Sequence, residues 1–243
     1  MPANQVHILP FDVKGATQEE YAALNKHVNL LRKERLPDDP PVPLQETIQN
    51  LHSIPPFVDM RMWAAWTPGA WTPEIAEIAG LADVVLLRLD ENRHLAQFEL
   101  TVLPEYRRQG LGKQLLRLMA ETAQADRRRL LLTSTSDRVP AGEAFMQRMQ
   151  AQKGLETHTN QLRIDELERG MLQEWLQMGQ ANTTFELGLW EGPYPEDRLQ
   201  EVCELYELTN QQPFGALEIE DMHITPEQIR QTEANIFARG NQR

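Results

Sequence analysis

Residues 100–116 read LTVLPEYRRQGLGKQLL: an alternating apolar run, a basic turn holding two glycines, then a helix in which Leu111, Leu115, Leu118, Met119 and Thr122 recur at helical spacing. No other stretch restricts the fold as much. Glycine lowers helix propensity, so Gly110 and Gly112 at a helix start point to a backbone that must approach something closely. The first amides of a helix have no partner within it, and the helix dipole adds positive potential at that end. With Arg107, Arg108 and Lys113 beside it, the turn suits an anion, most naturally a pyrophosphate.

The flanking sequence sets this turn in an α/β architecture. Val6–Phe11 reads as a strand, and Thr17 caps a helix carrying Tyr21, Leu24, Val28 and Leu31. Four prolines between Pro37 and Pro43 make a stiff linker to a second helix with Leu44, Ile48 and Leu51. Asp59–Thr67 and Ile75–Leu89 read as antiparallel strands, with DENR turning into a third, His94–Leu103. After the helix at Leu111, a compact strand at Leu130–Thr135 implies a parallel pair with a right-handed crossover. A helix over Pro140–Gln152, a weakly alternating strand over Leu155–Ile164 and a helix over Leu167–Met178 follow. The expected sheet is mixed, mostly antiparallel, of six to seven strands flanked by helices.

From Asn182 the element order of residues 6–52 begins again: a strand at Thr184–Trp190, the turn EGPYP, a helix with Leu199, Val202, Leu205 and Tyr206, and another with Ile229, Ala234, Ile236 and Phe237. The chain is therefore expected to divide into a first unit, 1–165, and a helical linker with a partial second copy, 166–243. An orphan strand at Thr184–Trp190 would expose unpaired backbone, so it is expected to join the first sheet or to pair with another chain as a homodimer.

Composition narrows the function. At 41% hydrophobic and 25% charged the chain is an ordinary globular one, and its net charge of −12 repels a phosphate backbone, which argues against nucleic acid as partner. No apolar run reaches membrane-spanning length and the N-terminus lacks the pattern of a signal peptide, so a cytoplasmic protein without membrane attachment is expected. The single Cys203 excludes an internal disulfide and a thiol-rich metal site; no metal is called for. Against the acidic background, Pro104–Arg129 holds seven basic residues and three acids.

Two common phosphate loops fail here. A Walker loop needs glycine at Arg107 and Ser or Thr at Gln114; a dinucleotide fingerprint needs a small residue at Leu115 and a strand that opens the fold. The stretch instead resembles the GNAT superfamily of acyl-CoA-dependent N-acyltransferases, whose [RQ]xxGx[GA] signature is supplied by Arg107, Gly110 and Gly112 and whose lead-in is supplied by Val102, Pro104 and Tyr106. The order of elements from residue 6 to about 165 agrees, and the whole resembles the first unit of a tandem GNAT protein.

The resemblance implies acetyl-CoA as co-substrate and acetyl transfer to a primary amine, on a small molecule or a peptide, by direct attack in a ternary complex. It places the CoA pyrophosphate on the turn from Arg107 through Arg108, Gln109, Gly110, Leu111 and Gly112 to Lys113, and the pantetheine arm on the backbone of Val102 and Leu103, with Ser136 as a further contact. Glu99 is the implied base, with His94 second. The Val102 amide is the implied oxyanion donor. Many relatives place a tyrosine acid at a position that here falls on Met146 or Gln150, neither of which protonates a thiolate. That departure leaves a catalytically degenerate acyl-CoA-binding module as the alternative. Asp38 and Asp39, with Trp63, Trp66 and Trp71, are the acceptor-side candidates, suited to an ammonium group. Core filling by the tryptophans is the competing reading.

Overall fold

The computed structural model describes residues 6–67, 77–160, 162–181, 184, 188 and 190–238. Five strands form one sheet in sequence order: β1 (His7–Phe11), β2 (Val58–Trp66), β3 (Ile78–Leu87), β4 (Leu95–Val102) and β5 (Leu130–Leu132). The first four are antiparallel and β5 is parallel to β4, as the strand-helix-strand order requires.

Helices cover both faces because the strands are apolar on both. On one side lie α1 (Gln18–Arg35) and α2 (Leu44–His52), burying Tyr21, Leu24 and Ile48 against Met62, Ala64, Trp66 and Leu81. On the other lies α3 (Leu111–Ala125), whose Leu111, Leu115 and Met119 meet Ala82, Val84, Ala96 and Phe98. Leu115 and Met119 are fully buried, each contributing about 2 kcal/mol of apolar transfer. Thr17 caps α1 through a capping box: its hydroxyl accepts from the Glu20 amide, and the Glu20 carboxylate accepts from the Thr17 amide.

His27 pins α1 to the sheet. The Ile78 carbonyl, 2.7 Å from Nδ1, can only accept, so Nδ1 carries the proton and Nε2 accepts from the Thr101 hydroxyl at 2.9 Å. Burial pushes this imidazole below its ordinary value, consistent with the neutral ring.

Beyond β5 the expected strand at 155–164 is not formed: its described residues are exposed and irregular, ending in a 3₁₀ turn at Ile164–Glu166. Its alternation had no apolar face to bury. The sheet therefore has five strands among the described residues. Helix α4 (Pro140–Arg148) sits beside the N-terminus of α3, and α5 (Arg169–Gln180) leaves Trp175, Leu176 and Met178 exposed. Helices α6 (Leu199–Glu207) and α7 (Pro226–Ala238) share a small core of Leu199, Val202, Cys203 and Ile229. Most of the strand expected at Thr184–Trp190 lies outside the described residues. The segment before α7 returns to the sheet, where buried Asn92 bonds Glu220 three times: its amide and Nδ2 donate to Glu220, and its Oδ1 accepts from the Glu220 amide.

Candidate active site

Strands β4 and β5 pair over three rows, Leu95 to Gln97 against Leu130 to Leu132. Past Gln97, β4 continues along β3 while the other strand departs as Thr133–Ser136. The gap opens into a cavity of about 750 Å³, lined by both strand edges, the C-terminal half of α1, the glycine turn and α4.

The strand's alternation decides which backbone groups reach the gap. The Leu103 amide donates to Ala79 at 2.9 Å, toward β3, and its carbonyl accepts from the Tyr106 amide at 2.9 Å. Leu103 is buried, with its amide committed to β3 and its carbonyl already accepting one hydrogen bond. Val102 points the other way by the same alternation, and its carbonyl accepts from Arg107 Nε at 2.9 Å.

Arg107 is occupied too. Its two terminal nitrogens donate to the two oxygens of Glu34 at 2.7 and 2.6 Å. The guanidinium holds the Glu34 carboxyl below the usual range and joins the end of α1 to the end of β4. Its side chain is a strut of the site.

The turn itself has the geometry its glycines implied. Arg108 and Gly110 both have positive φ, +62° and +87°, and Gly110 is the N-cap of α3. At Gly110 a side chain would have open space, so the dihedral angle is what calls for glycine. At Gly112 a Cβ would lie 3.3 Å from the Phe145 ring of α4. Among the described residues, the amides of Arg108, Gln109, Gly110, Leu111 and Gly112 bond no acceptor, whereas the Lys113 amide donates to Gly110 at 3.1 Å. Lys113 can therefore serve an anion through its ammonium group. Ser136 lines the opposite edge, its hydroxyl accepting from the Arg138 amide at 3.3 Å.

The basic stretch read from the sequence is not one patch. Arg107, Arg108 and Lys113 line the cavity, but Arg117 pairs with Glu121, Arg129 with Glu218, and buried Arg128 holds Asp126 and the carbonyls of Leu87, Asn92 and Leu95. Arg35 and Arg148, distant in sequence, line the cavity in addition. Among the described residues, Arg35, Arg108, Lys113 and Arg148 have no carboxylate partner.

Besides Glu34, which Arg107 holds, two carboxylates without a cation partner line the same cavity. Glu99 of β4 faces Asp83 of β3 across the ladder, and both side chains line the space. Burial, reinforced by the Glu99 charge, pushes Asp83 up to about 7. Sequence reasoning overlooked Asp83, although one signal was there: it is the single charged residue within β3.

Other expected participants lie elsewhere. His94 is fixed to the Glu218 carbonyl at 2.8 Å, away from the cavity. Asp39 pairs with Arg32 at 2.8 Å, and neither Asp38 nor Asp39 lines the cavity. Trp66 is core and Trp63 packs against α3's face of the sheet, so the tryptophan-lined acceptor pocket is not built from these two; Trp71 lies outside the described residues. At the acid position, Met146 lines the cavity and Gln150 does not.

A family model described as acetyltransferase (GNAT) domain matches residues 71–150. No curated protein matches the chain. Among solved structures, a tandem GNAT protein from the clavulanic acid biosynthesis pathway is similar over 97% of this chain and 67% of its own, at 18% identity and a TM-score of 0.63. An aminoglycoside acetyltransferase, meta-AAC0020, from an uncultured soil metagenomic sample aligns over 66% of this chain and 98% of its own, at 13% identity and a TM-score of 0.49. The aminoglycoside N-acetyltransferase AAC(6')-Iy, in complex with CoA, aligns over 67% and 99%, at 17% identity and 0.44. The signature turn opening α3, the strand gap beside it and the family match over these same residues agree: residues 71–150 carry a GNAT acetyltransferase domain, a domain of the acyltransferase class, and the fold is that of the tandem GNAT structure.

Proposed function

We propose that the chain transfers an acetyl group from acetyl-CoA to the nitrogen of an amine, by direct attack with both substrates bound. The observation that carries this reading is the charge layout of one cavity. Bare amides and cations without carboxylate partners, Arg35, Arg108, Lys113 and Arg148, stand against two carboxylates without cation partners, Asp83 and Glu99. The first set suits the phosphates of CoA and the second an ammonium group.

When bound, acetyl-CoA supplies an acyl carbon joined to a good leaving sulfur. The amides from Arg108 to Gly112, with the ammonium of Lys113, receive the diphosphate. The Val102 amide faces the strand gap as donor to the acyl oxygen, where charge develops. A carboxylate at the opposite end, Glu99 among the candidates, removes the amine proton. Met146 stands at the acid position and no tyrosine is among the residues lining the cavity, whose hydroxyls are those of Thr101, Thr133, Ser134, Thr135 and Ser136; a thiol with a pKa of about 8.5 leaves without a phenolic acid at neutral pH.

That same Met146 favours the second reading, an acyl-CoA-binding module without turnover. Thiol release from acetyl-CoA in the presence of an amine panel tests both. Release with at least one amine supports transfer; tight CoA binding with no release supports the module; no CoA binding defeats both. Residues 166–243 are read as the opening of a second unit, supported by the packing of α6 on α7 and by the likeness to a tandem structure.

A further inference from the structure

The two carboxylates of the cavity that have no cation partner, Asp83 and Glu99, are not equivalent, and their difference bears on the acceptor. Asp83 and Glu99 are register partners, so their side chains leave the sheet on one face with Cβ atoms about 4.5–5.5 Å apart. The same row of the sheet places buried Phe11 and Met62 on the inner side of Asp83. Asp83 is half-buried between these apolar side chains and a like charge, while Glu99 is exposed at the cavity wall.

No cation of the surroundings is bonded to the pair. From α1, Arg32 is held by Asp39, Glu34 is held by Arg107, and His27 is neutral and bonded at both nitrogens; Arg35 completes that side. From the turn come Arg107, Arg108 and Lys113, and from α4 Arg148, all lining the same cavity. From β2 the neighbour is Met62. None of these basic groups is bonded to Asp83 or Glu99, and neither carboxylate has any cation partner among the described residues.

We propose that Asp83 takes the proton from the incoming ammonium group, that Glu99 holds a second positive charge on the same acceptor, and that the acceptor is therefore a diamine or polyamine. This rests on the acetyl-transfer reading above. A carboxylate that binds its proton near neutrality is matched to deprotonating an amine at physiological pH, which one in the usual acidic range is not. Once Asp83 has become neutral by accepting that proton, Glu99 is left with a full charge beside a now neutral nitrogen. A second ammonium on the acceptor restores the balance.

The protons and electrons close as follows. The acceptor's ammonium gives one proton to the Asp83 carboxylate; the freed lone pair forms the carbon–nitrogen bond at the acyl carbon as the carbon–sulfur bond breaks. The sulfur leaves with that bond's electron pair and takes the second nitrogen-bound proton through water, and Asp83 returns its proton to solvent. Ammonium and thioester thus yield amide, thiol and one proton.

The test compares spermidine with n-butylamine as acceptor, following thiol release from acetyl-CoA between about pH 5 and 9, for the unmodified protein and for Asp83→Asn, Asp83→Glu and Glu99→Gln. Asp83→Asn is expected to lower kcat by about 10²–10⁴-fold and to abolish the acidic limb near neutrality, with Asp83→Glu recovering part of the rate. Glu99→Gln is expected to raise KM for spermidine about tenfold, more than for n-butylamine, and to move the acidic limb to lower pH, since it removes the charge that raises Asp83. Wild-type kcat with an unchanged limb in Asp83→Asn overturns the base assignment; equal efficiency toward the two amines overturns the diamine assignment. Carbon-13 titration of the Asp83 carboxyl and calorimetry of spermidine binding need no turnover. If no amine releases thiol, the acetyl-transfer reading falls, and these two still decide the pair: an Asp83 midpoint in the ordinary carboxylate range, or spermidine binding unchanged in Asp83→Asn, defeats it.

Discussion

Arg107 grips both oxygens of Glu34 while its Nε donates to the Val102 carbonyl, so one guanidinium ties the end of α1 to the end of β4 beside the strand gap. The first residue of the signature therefore acts through its neighbours. Its removal disturbs the wall of the cavity before it removes any charge from a ligand.

Arg107→Lys cannot reproduce the paired contact and is expected to cost about 1–3 kcal/mol of stability, with kcat/KM falling through displacement of the Val102 edge. Glu34 is held below its ordinary value, so its contribution is present above the usual carboxylate range and is lost as pH falls through the lowered value. Denaturant unfolding of Glu34→Gln should accordingly show a deficit at neutral pH that shrinks in strong acid. A deficit independent of pH would contradict this.

Asp83 has the opposite sign. Its proton is held more tightly in the folded chain, so this site destabilises the fold progressively as pH rises from about 4 to about 7, and the deficit stays constant above that. Asp83→Asn should therefore be the more stable protein at pH 8, by up to about 4 kcal/mol, and nearly equal to the parent below about pH 4. Unfolding curves at the two pH values check it, and a variant less stable at alkaline pH would refute it.

Gly110→Ala meets no steric obstacle but must hold an alanine at φ +87°. A cost of about 1–2 kcal/mol in stability is expected, with CoA affinity reduced about tenfold or more as the turn amides tilt out of line. Calorimetric titration with CoA measures the second effect. Unaltered affinity would remove this turn from the diphosphate site.

Asn92 sits at φ +57°, buried, with its three bonds to Glu220. Asn92→Ala should cost about 2–3 kcal/mol and raise hydrogen exchange in residues 216–222 ahead of exchange in the sheet. Equal protection in that segment would show that other contacts hold it.

Much of this was legible from residue order. The alternation of Ala96, Phe98, Leu100 and Val102 located β4, and the paired glycines located the start of α3, because both signals are local and periodic. The strand expected at 155–164 failed because weak alternation without an apolar face to cover gives no reason to join a sheet. The pairing of the carboxylates that line the cavity was hidden for a different reason. Asp39 meets Arg32 within one turn-and-loop, which neutralises it, whereas Asp83 and Glu99 come together only through strand register. Glu34 and Arg107 are separated by 73 positions, and nothing local in either announces the other.

The three-row pairing of β4 with β5 leaves the seam beside the last strand of the sheet partly unzipped. Lengthening β5 would add ladder bonds and stiffen the fold, yet on the proposed reading it would close the gap through which a flexible thioester arm reaches the Val102 edge. The short β5 thus gives up ladder bonds where the proposed reading needs an opening.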